Sequence, residues 1–303
     1  MTYEETLHYL YTSIPVFQHS GASAYKPGLG TSIALDDYLG NPHKAYKTIH
    51  VAGTNGKGSV SHLLAAILRQ SGFKVGLYTS PHLVDFRERI RVNGKKISQD
   101  YVVDFVERHR SFFEPLHPSF FELTSSMAFE YFRDQQVDYA VIEVGLGGRL
   151  DSTNIITPIL SIITNISLDH TQFLGDTEEK IAAEKAGIIK KDCPVVTILQ
   201  KAEAMEAIEA EAEKQHARLY TADVSKVTVE TETLKEIRFD HPGLGTVTTR
   251  LTGTYQVENC CLAVTVLKDV LGIADQTILD GIQNTVWPGR FEVIGEQPLF
   301  IID

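Results

Sequence analysis

Three glycines, a lysine and a serine fall within seven residues, Gly53-Thr54-Asn55-Gly56-Lys57-Gly58-Ser59, between an apolar-leaning run at 48–52 and a helical pattern at 59–70. Strand, glycine loop and helix N-terminus together make a receptor for phosphate. Glycines let backbone amides approach the anion, the helix end adds partial positive charge, and the lysine adds a full one. The Ser59 hydroxyl is then placed to ligate Mg²⁺ beside the phosphates. The spacing departs from the ordinary phosphate loop, with Val51 where its first glycine belongs and Gly58 between lysine and serine. The plain alternative is a glycine-rich turn with Lys57 in solvent. A nucleotide is favoured because strand, loop, lysine, hydroxyl and helix occur together in the required order.

Other strand-like runs also end in polar residues. Thr79-Ser80-Pro81-His82 follows one, Glu143-Val-Gly145-Leu-Gly147-Gly148-Arg149 a second, and Asn165-Ile-Ser-Leu-Asp169-His170 a third. An acid at the end of an apolar run is the usual holder of nucleotide Mg²⁺, and Glu143 occupies that place, a simple turn cap being the alternative. His170 on its own reads as a hydrogen-bonded loop histidine, since Mg²⁺ prefers oxygen. Lys185 reads from periodicity as a surface lysine on a helix. Arg87, Glu88 and Arg89 read as a solvated charged loop, with anion binding as the sharper alternative.

The elements that must position these groups alternate along the chain. Strand-like runs at 74–78, 139–144, 159–166 and 195–199 are interleaved with helical patterns near 59–70, 120–134, 177–189 and 202–216. That rhythm predicts an α/β fold, a mostly parallel sheet with helices on both faces and a site at the strand C-termini. Residues 1–46 hold two short helical patterns around a glycine-rich loop at 20–30, the first opening on a Thr2–Glu5 capping box. Residues 89–97 read as a hairpin turning at Asn93-Gly94, 224–251 as short β segments, and 255–271 and 275–284 as helices. Pro298-Leu-Phe-Ile-Ile-Asp303 reads as a strand delivering an acid, either an edge or the start of something cut short.

Length and composition set the limits. At 303 residues, one large domain with a smaller appendage is expected. A net charge of −11 argues against a nucleic-acid partner. No apolar run is long enough to span a bilayer, no signal pattern opens the chain, and three cysteines make no disulfide framework or zinc site, so a cytoplasmic protein is expected.

Taken in order, the motifs resemble folylpolyglutamate synthases and the related muramyl-peptide ligases, the Gly-Ser ending of the loop favouring the folate branch. The likeness runs through Gly53–Ser59, Tyr78-Thr-Ser-Pro-His-Leu83, Arg87-Glu-Arg-Ile, Phe121-Glu122-Leu-Thr, Glu143 to Asn154, Leu168-Asp-His170, Glu184-Lys185-Ala-Gly-Ile-Ile-Lys190, Gly253-Thr-Tyr-Gln-Val-Glu-Asn259 and Trp287-Pro-Gly-Arg290. It implies a phosphate-loop NTPase-like, Mur-ligase-type domain over 1–296 with a small β subdomain at about 220–252. It also implies that 297–303 begins a truncated Rossmann-like C-terminal domain, otherwise absent. The implied activity is an ATP-dependent amide ligase adding L-glutamate to the γ-carboxylate of folates, in some members also to dihydropteroate, through an acyl phosphate. A muramyl-peptide-type ligase or a small-molecule kinase is the alternative, and a monomer is expected.

Carried over position by position, the resemblance gives Thr54, Asn55, Gly56, Lys57, Gly58, Ser59, Asn259, Arg290 and Asp303 to ATP. Ser59, Ser80, Glu143, His170 and Lys185 fall to Mg²⁺, the lysine as a carbamate formed with CO₂. Lys57, Lys185 and His170 are the catalytic group, and Ser119, Phe120, Phe121, Glu122, Leu150, Asp151 and Ser152 line the folate pocket. Without the second domain the chain is expected to bind ATP and to be poorly active.

Overall fold

A computed structural model of the chain describes residues 1–14 and 28–302. α1 (Tyr3–Thr12) opens on the expected capping box, the Thr2 hydroxyl accepting from the Glu5 amide and the Glu5 carboxylate from the Thr2 amide. Two amides that a helix start leaves without partners are thereby satisfied. α2 (Gly30–Tyr38) follows; most of the glycine-rich stretch at 20–30 lies outside the described residues.

β1 (Lys47–Ala52) leads through the glycine loop into α3 (Lys57–Gln70). Val60, Leu63, Leu64, Ile67 and Leu68 are fully buried on α3, a stripe at helical spacing. Each such side chain contributes about 1.5–3 kcal/mol on burial. The stripe fixes α3 on the sheet and so holds its N-terminus at the tip of β1. β2 (Val75–Tyr78), β3 (Ile90–Val92) and β4 (Lys95–Lys96) come next, the last two a hairpin whose Asn93 and Gly94 have φ of 49° and 79°, as its tight turn requires. Then follow α4 (Gln99–Phe113), α5 (Phe120–Asp134), β5 (Tyr139–Glu143), β6 (Leu160–Ile163), α6 (Thr171–Leu174), α7 (Glu178–Ala186), β7 (Val195–Ile198), α8 (Ala202–Lys214) and β8 (Leu219–Ala222).

These strands form one eight-stranded sheet in the order β4-β3-β2-β5-β1-β6-β7-β8, parallel from β2 to β8 with the antiparallel hairpin at one edge. Its central strands are buried on both faces, which explains their continuous apolar runs. On β5, Val141 packs into the core beneath α3, while Ala140 and Ile142 pack into the opposite core beneath α4 and α5. β5 and β6 follow one another in sequence yet flank β1 on opposite sides. The loops after β1, β5 and β6 therefore open into one crevice, where open α/β sheets bind ligands.

Four features differ from the sequence reading. α4 is not assigned from sequence, because Asp100, Asp104, Glu107, Arg108 and Arg110 obscure the buried stripe of Val102, Phe105, Val106 and Phe113. β8 pairs in parallel with β7 in the large sheet, so the small β unit begins later than 220. It consists of β9 (Thr228–Glu232), β10 (Ile237–His241) and β11 (Gly245–Thr249), an antiparallel sheet packing Ile237, Phe239 and Val247 into the core. The expected helix at 255–271 is α9 (Tyr255–Val264) continued by a π-helical turn, Thr265–Val270, before α10 (Asp275–Gln283). Finally β13 (Leu299–Ile302) pairs with β12 (Glu292–Glu296) in a two-stranded hairpin, stays exposed, and does not join the large sheet. No helix among the described residues is long and apolar enough to cross a membrane.

Candidate functional site

The loop between β1 and α3 is held from two sides. On the β6 side, the Thr54 amide donates to the Asn165 carbonyl (2.8 Å), the Asn55 amide to Asn165 Oδ1 (2.8 Å), and the Thr164 hydroxyl to the Asn55 carbonyl (2.6 Å). On the α9 side, buried Gln256 donates from Nε2 to Ser59 Oγ (3.3 Å) and accepts from Asn259 Nδ2 (2.9 Å). Gly56, with φ of 86°, is the N-cap of α3, and a Cβ there would fall on Asn259 Oδ1. Only glycine gives both that backbone conformation and that close approach. The result is a cleft of about 510 Å³, lined by residues 54–59 with Ser80, Glu143, Asn259 and Arg290 among others.

The charges in this crevice are unusual. Lys57 Nζ donates to the Gly53 and Thr54 carbonyls at 3.0 and 2.9 Å. Lys185 Nζ, from α7, donates to the same Gly53 carbonyl at 2.7 Å. Two ammonium groups therefore share one acceptor, and neither forms a salt bridge with a carboxylate among the described residues. Lys185 is buried, and burial, then the Lys57 charge, pulls its pKa from 10.5 to about 7. Glu143, at the end of β5, accepts from the Ser80 amide (2.9 Å). Burial pushes its carboxyl up to about 7, against the opposing pull of Lys57, the Ser80 amide and Arg290. The crevice is short of negative charge, and an anionic ligand with a metal ion would relieve both groups.

Lys185 thus corrects the periodicity reading: it points inward from α7 instead of into solvent. Arg89 is corrected likewise. It is buried, donates from Nε to His82 Nδ1 (2.7 Å) and lies 5.1 Å from the Phe120 ring, whereas Arg87 pairs with Asp85 at 2.7 Å. His170 is in a more exposed setting. It precedes α6 with φ of 46°, its side chain is 46% exposed, its nearest acid is Asp169 at 3.6 Å, and it does not line the cleft. Asp303 lies outside the described residues.

Next to the crevice is an aromatic wall. Phe120 stacks on Tyr11 at 5.4 Å, and the Phe121 ring lies against Gly145. Two acids expected in a folate pocket have structural partners here. Glu122 closes the capping box that starts α5, accepting from the Ser119 amide at 2.7 Å while Ser119 Oγ accepts from the Glu122 amide. Asp151 is buried and accepts four hydrogen bonds, from the Gly145, Leu146 and Thr153 amides and from the Thr153 hydroxyl. Asp151 therefore shapes the glycine loop after β5, with half-buried Leu150 and Ser152 on either side. Sequence reasoning did not single out Thr164, Asn165 or Gln256, the residues that fix the phosphate loop. Thr164 and Asn165 had a visible signal, as the adjacent polar residues that follow Ile162 and Ile163; Gln256 has none without the fold.

Residues 51–267 match the family model of the Mur ligase middle domain. The chain is 37% identical over 295 residues to "Dihydrofolate synthase/folylpolyglutamate synthase" of Bacillus subtilis, spanning 92% of this chain and 69% of that one. It is 36% identical over 321 residues to "Folylpolyglutamate synthase" of Lacticaseibacillus casei, spanning 73% of that protein. The folylpolyglutamate synthase structure from Thermotoga maritima superposes with a TM-score of 0.87 at 40% identity, over 99% of this chain and 70% of that one. An FPGS–AMPPCP–folate complex superposes with a TM-score of 0.87 at 34% identity, over 100% and 76%. The irregular glycine loop, the strand tips around it and these likenesses agree: the chain belongs to the Mur ligase family, among the folylpolyglutamate and dihydrofolate synthases.

Proposed function

We propose that this chain carries the nucleotide site of an ATP-dependent ligase that joins L-glutamate to the γ-carboxylate of a folate, with dihydropteroate as a second acceptor. The observation that carries this reading is the pair of ammonium groups, Lys57 and Lys185, both resting on the Gly53 carbonyl at the mouth of a glycine loop. A triphosphate is the ligand whose charge suits that arrangement.

A carboxylate is a poor electrophile. Transfer of the γ-phosphoryl group of ATP makes it an acyl phosphate, which the glutamate amine attacks with loss of phosphate. The loop amides at the start of α3 hold the phosphates, and Lys57 moves from its carbonyl partners onto them, neutralising charge as it develops. Asn259 and Arg290 hold the rest of the nucleotide. Mg²⁺ fits the donors present: Ser59, Ser80 and Glu143 offer hard oxygen, and a cation would restore the ionised form of the buried Glu143. No cluster of three or more His, Cys, Asp or Glu occurs among the described residues, which suits an ion held by one carboxylate together with phosphate and water. Bound Mg²⁺ supplies electrostatic stabilisation along the triphosphate. Lys185, buried and with its pKa lowered to about 7, is a suitable amine for carbamate formation with CO₂. Phe120 and Phe121 offer the apolar wall for a pterin.

The test is phosphate release from ATP, measured with folate alone, glutamate alone and both together. Release that needs both supports the ligase; release with folate alone favours a kinase, and release with neither dependence rejects both.

A further inference from the structure

The only tryptophan in the sequence, Trp287, touches the phosphate loop. A Cβ placed on Gly58 would lie 3.1 Å from Trp287 Cζ2, so the indole edge rests on the loop backbone itself. One turn along α3, the His62 ring stacks on the indole with centroids 3.7 Å apart and planes 25° from parallel. His62 Nδ1 bonds the Gly58 carbonyl at 2.8 Å. A carbonyl only accepts, so Nδ1 carries the proton and Nε2 is a bare acceptor. Both His62 Nε2 and Trp287 Nε1 are buried without a hydrogen-bond partner. Three residues on, the Arg290 guanidinium lies 5.9 Å from the indole and lines the nucleotide cleft. Trp287 and Arg290 also line a second cleft of about 770 Å³ that extends along β12.

Elsewhere the loop is pinned by directional hydrogen bonds to Asn165, Thr164 and Gln256. At Gly58 the contact from outside α3 is the packed indole, and the hydrogen bond from His62 Nδ1 comes from α3 itself. A stacked contact resists compression but can slide, since no hydrogen bond fixes its lateral position. We propose that Trp287 is a positioning residue for the nucleotide. Its ring sets the height of the Gly58–His62 turn, and thereby the loop amides, and it moves with the loop when phosphates bind. In this way occupancy of the loop is coupled to Arg290 and to the segment 285–302. This rests on the nucleotide reading above.

The experiment is a titration with Mg·AMPPCP, followed by indole emission and, in parallel, by calorimetry. A saturable emission change with the calorimetric midpoint is expected, and Lys57→Ala should move both midpoints together. Trp287→Ala should raise the calorimetric Kd about tenfold, while Trp287→Phe, which keeps a stacking ring, stays within about threefold. Calorimetric binding with flat emission overturns the inference alone, as does wild-type affinity in Trp287→Ala. No binding to the wild type would sink the nucleotide reading and this inference with it. Should Trp287→Ala fail to fold, Gly58→Ala presses a methyl against the indole; it is expected to change the emission of the free protein and weaken binding, and if both stay unchanged the inference falls.

Discussion

The two sides of the crevice use buried charge in opposite ways. On the phosphate side, Lys57 and Lys185 rest on backbone carbonyls, and Glu143 has a single amide donor. On the aromatic side, Asp151 accepts four hydrogen bonds from amides and a hydroxyl of its own fold, and Glu122 is tied into the capping box of α5. Charges with weak or shared partners can be taken over by a ligand at little cost. Charges with full sets of partners hold the backbone in place and have little left to offer. The difference separates ligand-binding groups from architectural ones better than residue type does.

Substitutions on the two sides should therefore fail differently. The largest effect expected is at Lys57: Lys57→Ala should lower nucleotide-dependent phosphate release by about 10²–10³-fold, as for loss of a placed charge. Its thermal midpoint without ligand should not fall, because removing one of two adjacent cations relieves repulsion. A large loss of midpoint would place Lys57 with the architectural charges. Asp151→Ala should do the reverse, costing about 3–5 kcal/mol of stability by leaving several buried donors without an acceptor, read by denaturant unfolding. A variant as stable as wild type would free Asp151 for a ligand-binding role.

A smaller effect comes from pH. Without ligand, the Glu143 contribution to folding stability should fall as pH rises from about 4.5 to 7, because Glu143 holds a proton in the folded state that the unfolded chain has lost; buried His50 and His62, with pKa lowered to about 3, work in the opposite direction over much of that range. Above about 7 the Lys185 contribution rises with pH, since the unfolded chain binds a proton there that the folded state does not. Relative to wild type, Glu143→Gln should make stability rise more steeply along the acid limb and Lys185→Met less steeply along the alkaline limb, in urea unfolding at stepped pH. Limbs unchanged in both variants would show that these groups are solvated. The smallest effect is at Glu122, where Glu122→Ala removes half of a capping box and should cost about 1 kcal/mol with nucleotide affinity unchanged.

Much of this was legible in the sequence. The parallel sheet announced itself through doubly buried apolar runs such as 139–143, and the phosphate loop through Gly56, Lys57 and Ser59 standing between strand and helix. Lys185 was not legible from residues alone, because a helix carrying Glu178, Glu179, Lys180 and Glu184 looks solvated all round; only the family likeness nominated it. The structural partners of Glu122 and Asp151 were hidden for a related reason. The likeness marks where a substrate lies nearby, but hydrogen bonds to Gly145 and Leu146 exist only once the chain has folded. His170 was carried over by the same route, and its half-exposed place outside the cleft depends on a backbone turn that no pattern reports.

The most direct test of the central claim is calorimetric titration of Mg·AMPPCP into the wild-type protein, Lys57→Ala and Glu143→Gln. One site per chain is expected, weakened by about tenfold or more in each variant. Equal affinity in all three proteins would contradict the claim that the tips of β1 and β5 converge on a triphosphate.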